Sequence, residues 1–180
     1  MVTSQKKTKI ASSNTNARKE SFQYQMDLLK MEIQTINDII SRMDAMAQAT
    51  KNWAIGIWTG SIAITLSQPE LQKFVILSAV TPFLFWYIDA YFRRLQTRSI
   101  FRSRKIHEFL NSDRLVSSFE KNSLVDFTVF DATGTQYKGT QEYEKFASLK
   151  RTLKFREVRE FYLVLIIISV AMGLFFLLTQ

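Results

Sequence analysis

The longest apolar run in the chain constrains its fold more than any other feature. Residues 161–179, FYLVLIIISVAMGLFFLLT, contain no charged side chain over 19 positions. A helix of that length covers about 30 Å, which is the thickness of the hydrocarbon core of a bilayer. A helix that is apolar on every face is rare in a small soluble domain. We therefore expect residues 161–180 to form a transmembrane helix, the alternative being a buried core helix.

Two shorter apolar segments lie upstream of this run. Residues 53–66 read WAIGIWTGSIAITL and residues 74–88 read FVILSAVTPFLFWYI, and neither contains a charge. The intervening SQPELQK contains a proline, and its Ser67 and Glu70 have the spacing of a capping box, so we expect a turn there. Trp and Tyr side chains near the ends of the segments are typical of a membrane interface. Residues 53–92 are therefore predicted to form a membrane-embedded helical hairpin.

The length of the two arms leaves the depth of this hairpin open. Each arm is shorter than the roughly 20 apolar residues that a full span requires. A complete crossing and a partial insertion are both compatible with residues 53–92. The alternatives are a buried soluble hairpin and a hairpin shielded by neighbouring subunits.

Composition excludes several classes of protein. Five Gly and two Pro in 180 residues favour long helices over a turn-rich β fold. The absence of Cys excludes disulfides and thiol catalysis, and with a single His no metal site is expected. No phosphate-binding glycine loop occurs, and no cofactor is predicted. Residues 1–21 have a basic start without an apolar core, which predicts a disordered basic tail rather than a signal peptide.

Apolar residues recur at heptad spacing through the next part of the chain. Their spacing is 4-3-4-3-4-3-4, which gives a narrow stripe typical of helix–helix packing. The stripe consists of Phe22, Met26, Leu29, Ile33, Ile36, Ile40, Met43 and Ala47. It predicts an amphipathic helix over residues 22–50. This helix would pack either against the helix that follows Tyr91 in the same chain or against another chain.

The distribution of charge predicts the orientation. The net charge is +8, and residues 1–52 carry eight Lys and Arg. Residues 93–160 carry fifteen, whereas the 67–73 loop has one charge of each sign. Because cytoplasmic segments are enriched in Lys and Arg, we expect the N-terminus and residues 93–160 to be cytoplasmic in a bacterial inner membrane. Residues 93–160 are thus predicted to be a basic cytoplasmic module.

Three features of the central region bear on its structure. Asp89 and Arg93 lie four residues apart with the acid first, the favoured order for a helical ion pair near the membrane boundary. LVDFTVF at 124–130 is the only strand-like run, and DATGTQ after it predicts a turn, so a short extended segment or small hairpin is expected. From Gln141 a helical pattern is expected to continue unbroken into the terminal span.

The sequence RSRKIH contains the only histidine of the chain. Arg102 and His107 have the R-x4-H spacing of helical RNA-cleaving domains, in which an imidazole moves a proton and an arginine stabilises phosphorane charge. However, five of the twelve residues from 93 to 104 are Arg, and the two side chains would lie about 140° apart on a helix. A packing or interface role for His107 is the main interpretation, ahead of subunit contacts or gating, and catalysis comes last.

The hairpin and the basic helix together resemble a group of bacterial proteins. Residues 86–95, WYIDAYFRRL, followed by Arg102 and His107, resemble the small membrane accessory proteins of type VI-B CRISPR systems, which have a divergent R-x4-H motif. The pattern is also similar to the SLATT group of defence proteins, although the third apolar segment exceeds their two-helix pattern. The match covers mainly residues 50–110. The resemblance implies an oligomeric pore that disturbs the inner membrane once an RNA-guided RNase is activated.

These observations predict an all-α membrane protein with an amphipathic N-terminal helix, a membrane hairpin, a basic cytoplasmic module and a C-terminal transmembrane helix. The leading hypothesis is a homo-oligomeric pore in antiviral defence, with the lipid bilayer, itself and an RNA-guided RNase complex or RNA as partners. The candidate pore or gating residues are Asn52, Thr59, Ser61, Thr65, Asp89 and Arg93. The alternatives are a membrane-anchored RNase or RNA-binding module that uses Arg102 and His107, and a non-catalytic anchor for a soluble partner.

Overall fold

The computed structural model describes residues 2–179, with side chains from residue 16 onward. Over this range the chain is all-helical and contains no strand, which confirms the predicted helical class. The elements are α1 (Val2–Ser67), a 3₁₀ helix (Pro69–Ala79), α2 (Val80–Leu110), α3 (Asp113–Lys121), a 3₁₀ turn (Thr135–Tyr137), α4 (Gln141–Phe146), α5 (Leu149–Leu153) and α6 (Arg156–Thr179).

Two stretches among the described residues are long and apolar enough to cross a membrane, Pro69–Leu110 and Gln141–Thr179. Only 28% of the most apolar window is buried in the first and 17% in the second. The core helix of a soluble protein would be mostly buried, so this exposure favours contact with lipid or with another chain. Residues 53–66, the predicted first arm of the hairpin, belong to neither stretch.

Helix α1 begins earlier than the sequence predicts. Its first residue is Val2, so residues 2–21, expected to be a disordered tail, are helical. No Gly or Pro interrupts this region, so no residue in it breaks the helix. The predicted boundaries at residues 50–53 and 92–93 also fall inside continuous helices, α1 and α2.

The heptad stripe of α1 packs inside the single chain. Every one of its eight residues is buried or half-buried. The first, Phe22, is 4% exposed, and the last, Ala47, is 1% exposed. Neighbouring polar positions such as Gln34 and Asn37 are exposed. Of the two predicted partners, the structure thus supports packing within the chain.

The chain divides into two compact units. The first comprises residues up to Ile39 together with Ser99–Lys138. Aromatic pairs organise its core: the rings of Phe109 and Phe127 stack at 4.2 Å, and Phe101 meets Tyr137 edge to face at 5.5 Å. Such pairs add about 0.5–1.5 kcal/mol beyond the burial of their surface.

The second unit comprises Ile40–Arg98 and the residues from Gly139 onward. Its core contains Ala54, Val158 and Tyr162, all fully buried. The 3₁₀ helix packs along α6. Gln68 is the N-cap residue of the 3₁₀ helix, so the expected capping box at Ser67 does not form. The Ser67 hydroxyl instead donates to the Ile64 carbonyl within α1, at 2.8 Å.

The strand-like run at 124–130 is irregular rather than a strand or hairpin. Its backbone amides donate to side chains instead of a neighbouring strand. The amide of Val125 bonds to Ser118 Oγ at 2.9 Å and that of Phe130 to Glu32 Oε2 at 2.7 Å. The turn that follows is present, closed by a bond of 2.8 Å from the Gly134 amide to the Asp131 carbonyl.

The approach to the terminal helix is broken, whereas the sequence predicts one continuous helix from Gln141. Breaks separate α4 from α5 and α5 from α6. Side chains of α2 cap the helix ends at both places. Arg94 Nε donates to the Ala147 carbonyl at 2.9 Å, and Trp86 Nε1 donates to the Leu153 carbonyl at 3.2 Å. These bonds satisfy carbonyls that a helix end leaves without a partner.

Candidate functional site

Arg102 lies at the centre of the first unit and is completely buried. Its Nε donates to Glu32 Oε1 at 2.6 Å and its Nη2 to Glu32 Oε2 at 3.1 Å, which makes the pair bidentate. Nη1 donates to the Tyr137 hydroxyl at 3.1 Å. The guanidinium also lies over the Phe127 ring, 4.7 Å from its centre. All three nitrogens of Arg102 are therefore bonded within the chain.

Glu32 uses its carboxylate to hold the loop between α3 and α4. Besides Arg102, it accepts from the amides of Phe130 at 2.7 Å and Asp131 at 3.1 Å. Phe130 has a φ of 72°, a conformation that is costly for an aromatic residue. The bond to Glu32 helps to keep the loop in this strained form. Glu32 and Arg102 together join α1, α2 and this loop into one polar network.

This network determines whether Arg102 and His107, the R-x4-H pair, can act together. Arg102 is committed to Glu32, whereas His107 is exposed five residues further along α2. A buried guanidinium with no free donor nitrogen cannot reach a phosphate in solvent. The structure thus does not bring the two side chains together as a site for RNA cleavage. No group of acidic or histidine side chains suited to a metal ion occurs among the described residues.

Asp131 holds the turn beside this network. Burial raises the pKa of its carboxyl, but hydrogen bonds from Thr135 and from the Gln136 amide, together with the Arg102 charge, outweigh burial and place the pKa below its usual range. Both oxygens accept: Oδ1 from the Thr135 amide at 2.7 Å and Oδ2 from the Gln136 amide at 3.0 Å. The charged carboxylate therefore stabilises the turn.

Replacing Asp131 by Asn is expected to lower stability in a pH-dependent way. Because the folded pKa is depressed, the stabilising contribution is complete above the unfolded pKa of about 4 and is lost as pH falls through the folded value. Thermal unfolding of wild type and Asp131→Asn should differ most at neutral pH and converge in acid. A difference that stays constant down to the most acidic pH at which the wild type folds would contradict a role for the charge.

The pore candidates on α1 lie on two opposite faces. Asn52 and Thr59 are exposed. Ser61 and Thr65 are half-buried, and their hydroxyls donate to the carbonyls of Ile57 and Ser61 at 2.8 and 2.7 Å. At 100° per residue, Ser61 lies about 180° from Asn52 around the helix. Of these four residues, Asn52 and Thr59 are therefore the more open to solvent or to a neighbour.

Asn52 and Thr59 belong to a longer exposed face of α1 made of small and polar residues. We call it the small-residue face, and it consists of Ser41, Ala45, Gln48, Ala49, Asn52, Gly56, Thr59, Gly60, Ala63 and Ser67, all exposed. A Cβ placed on Gly56 or Gly60 would meet no atom within 4 Å. The apolar residues Ile55, Ile57 and Ile64 border the face and are also exposed.

Asp89 and Arg93 form the predicted ion pair, with 4.0 Å between Oδ1 and Nε. Asp89 is fully buried, and neither of its oxygens has a hydrogen-bond partner in the described part of the chain. Arg93 also donates to Asp44 on α1 at 2.6 Å and to Gln96 at 2.9 Å. Arg93 therefore connects α1 and α2.

A third polar group lies within the apolar part of the second unit. The Ser169 hydroxyl accepts from Trp58 Nε1 at 2.8 Å and from Ser78 Oγ at 3.0 Å, and itself donates to the Leu165 carbonyl at 3.0 Å. Four residues later, a Cβ on Gly173 would lie 2.6 Å from Ile76 Cβ. This S-x-x-x-G spacing is typical of helices that pack closely in membranes.

Several of these residues were not among the candidates selected from the sequence. The spacing of Glu32 indicates its burial, because it lies three residues after Leu29 and four before Ile36 and so shares their buried face. The Ser169 and Gly173 spacing was also visible. Nothing in the sequence indicates that Glu32 meets Arg102, because 70 residues separate them.

The fold and these sites define an all-α protein with two helices that can cross a membrane. No family model, curated protein or solved structure matches the chain.

Proposed function

We propose that this chain is the subunit of a homo-oligomeric membrane pore in the bacterial inner membrane. The observation that carries the proposal is the small-residue face of α1, which consists of small and polar residues, is exposed and is bordered by exposed isoleucines. In hydrocarbon, exposed hydroxyl and amide groups are costly unless they meet water or a partner. A ring of copies that turn this face toward a common axis supplies both.

Within the small-residue face, two residue types have different roles. Gly56 and Gly60 form a G-x-x-x-G pair with open space above them, which lets a helix of the next subunit approach closely. Asn52 and Thr59 supply the polar atoms that line the lumen. Ser61 and Thr65 lie on the opposite face, so they do not contribute to the lumen in this proposal.

The other helices of the second unit provide the surface that faces lipid. Phe83 on α2 and Ile167 and Leu178 on α6 are more than half exposed. A soluble monomer rarely leaves so many large apolar side chains in water. By the positive-inside rule, the N-terminus and the 93–160 region are cytoplasmic.

The Asp89–Arg93 pair is the proposed gate. Arg93 is bonded to Asp44 of α1 at the cytoplasmic end of the apolar segments, while the Asp89 carboxylate is buried without a hydrogen bond. A buried charge with incomplete partners is costly, so a small displacement of α2 against α1 changes its energy strongly. Opening would break the bond between Arg93 and Asp44 and hydrate Asp89.

The resemblance of residues 86–107 to accessory proteins of type VI-B CRISPR systems suggests the biological setting. The pore would then depolarise the membrane in antiviral defence and enhance the effect of an RNA-guided RNase. The activated RNase complex, or RNA, is the proposed trigger. The exposed His107 is available for contact with a neighbouring subunit.

Replacing Thr59 by Leu is expected to reduce ion flux several-fold, because an apolar side chain in the lumen disfavours water and ions. The measurement is decay of a potassium diffusion potential in vesicles that contain the purified full chain. Thr59→Ser keeps the hydroxyl and should retain flux. Thr65→Leu, at a half-buried position on the opposite face of α1, tests whether the effect is specific to the small-residue face.

Assembly is measured on the same preparations by native mass determination. Gly56→Leu should lower the mass toward that of a monomer, since the larger side chain prevents close helix contact. Wild-type protein that is monomeric and leaves the vesicle potential intact would overturn the pore and favour a membrane anchor. Equal loss of flux in Thr59→Ser and Thr59→Leu would contradict the assigned lumen.

A further inference from the structure

A groove of about 770 Å³ lies in the second unit, between one face of α2 and the segment that contains α5 and the start of α6. Its two walls differ in chemistry. Phe83, Leu84 and Tyr87 form an apolar and aromatic wall on α2, and each of these side chains is more than half exposed. Lys150, Lys154 and Arg159 form the opposite wall.

Trp86 fixes the floor of this groove. Its indole Nε1 donates to the Leu153 carbonyl at 3.2 Å, and both residues line the groove. The bond connects α2 to the end of α5 and thereby sets the distance between the apolar and the cationic wall. An indole with one polar bond and an apolar ring is the side chain that proteins favour at the membrane–water interface.

The three cations of the groove differ from the other basic residues of the same segment. Arg156 pairs with Glu160 at 2.8 Å, and the guanidinium of Arg151 stacks 4.5 Å from the Phe146 ring. Among the described residues, no carboxylate lies within ion-pair distance of the cationic wall. The groove therefore combines exposed aromatic and aliphatic surface with three positive charges that have no ion-pair partner within the part of the chain that the structure describes.

The position of the walls indicates what fills the groove. The α2 wall belongs to one of the two stretches that can cross a membrane, and the cationic wall directly precedes the charge-free run at 161–179. In a bilayer crossed by these two stretches, the apolar wall would lie at hydrocarbon level and the cationic wall at headgroup level. Basic residues at that level attract anionic lipid.

We propose that the groove binds one anionic phospholipid, with its phosphate on Lys150, Lys154 and Arg159 and its acyl chain along Phe83 and Leu84. A soluble phosphate compound would use only the cationic wall, and a zwitterionic lipid would bring its own positive charge to the three cations. The volume suits a headgroup with the adjoining part of one chain. Binding does not require the chain to form a pore.

Native mass spectrometry of the detergent-purified full chain tests this site, with phosphatidylglycerol and phosphatidylcholine added separately after delipidation. We expect one phosphatidylglycerol per chain to be retained and phosphatidylcholine to be lost. The triple variant Lys150→Gln, Lys154→Gln, Arg159→Gln should weaken retention by about tenfold or more, because each basic residue at the membrane surface contributes to attraction of anionic lipid.

A matched variant removes the same charge outside the groove, through Lys145→Gln, Arg151→Gln and Arg156→Gln. It should retain phosphatidylglycerol, and equal loss in both triple variants would overturn the site in favour of general surface attraction. Leu84→Gln changes an exposed side chain and should weaken retention without loss of helix content. Glycerol phosphate, which lacks a chain, should not displace the lipid; displacement at equal concentration would also overturn the proposal.

Discussion

Arg102→Met is expected to destabilise the protein by about 3–5 kcal/mol, the cost of breaking a buried ion pair. The substitution leaves the Glu32 carboxylate buried at 1% side-chain exposure without its cation. It also removes donors to Tyr137 and to the Thr128 carbonyl. For a chain of this length the thermal midpoint should fall by about 10 °C. The measurement is thermal unfolding of the detergent-solubilised protein, followed by circular dichroism.

A double variant separates lost pairing from lost packing. Glu32→Met with Arg102→Met should recover part of the stability, since an apolar pair can replace a buried ion pair. Recovery stays incomplete because the amides of Phe130 and Asp131 lose their acceptor. His107→Ala, an exposed site on the same helix, is the control and should change the midpoint little. If Arg102→Met behaved like His107→Ala, the network would not stabilise the fold.

Gly173→Ala is expected to destabilise the second unit by about 1–3 kcal/mol, the usual cost of overpacking. The new methyl would lie 2.6 Å from Ile76 Cβ and 3.1 Å from Ile76 Cα, so the 3₁₀ helix must move away from α6. That movement would also lengthen the 3.0 Å bond between Ser78 and Ser169. The measurements are the midpoint of thermal unfolding, which should fall, and the rate of proteolysis after Lys73, which should rise because Lys73 precedes the packed residues.

Glycines elsewhere in the chain provide the matched controls. Gly56→Ala and Gly60→Ala add the same methyl group to α1, at positions where no atom lies within 4 Å of the new Cβ. Helix propensity favours Ala over Gly by about 1 kcal/mol, so both variants should be neutral or slightly stabilising when the protein is measured as a monomer in detergent. A Gly173→Ala protein as stable as these two would show that α6 and the 3₁₀ helix are not in close contact.

The two predictions concern different physical problems. In the first unit, a charge pair far apart in sequence is desolvated and must be fully bonded. In the second unit, the apolar segments offer each other little hydrophobic gain if lipid surrounds them, so close packing at small residues stabilises their contact. Arg102 was a candidate for catalysis on spacing alone, and its burial assigns it to the first of these problems.

The sequence by itself determined the helical class, the position of the terminal apolar helix and the buried stripe of α1. These follow from local composition and periodicity, which act over a few turns of one helix. The helix boundaries were less well determined, because caps come from other elements: Arg94 and Trp86 of α2 end α4 and α5.

Only the tertiary structure decided which polar residues form hydrogen bonds within the chain and which remain exposed. Glu32 and Arg102 are separated by 70 positions, and Trp58 and Ser169 by 111. Hydrogen bonds of this kind depend on how helices pack, and no local pattern encodes that. The same packing half-buries Ser61 and Thr65 and leaves Asn52 and Thr59 exposed, although all four are polar residues of the same helix, α1.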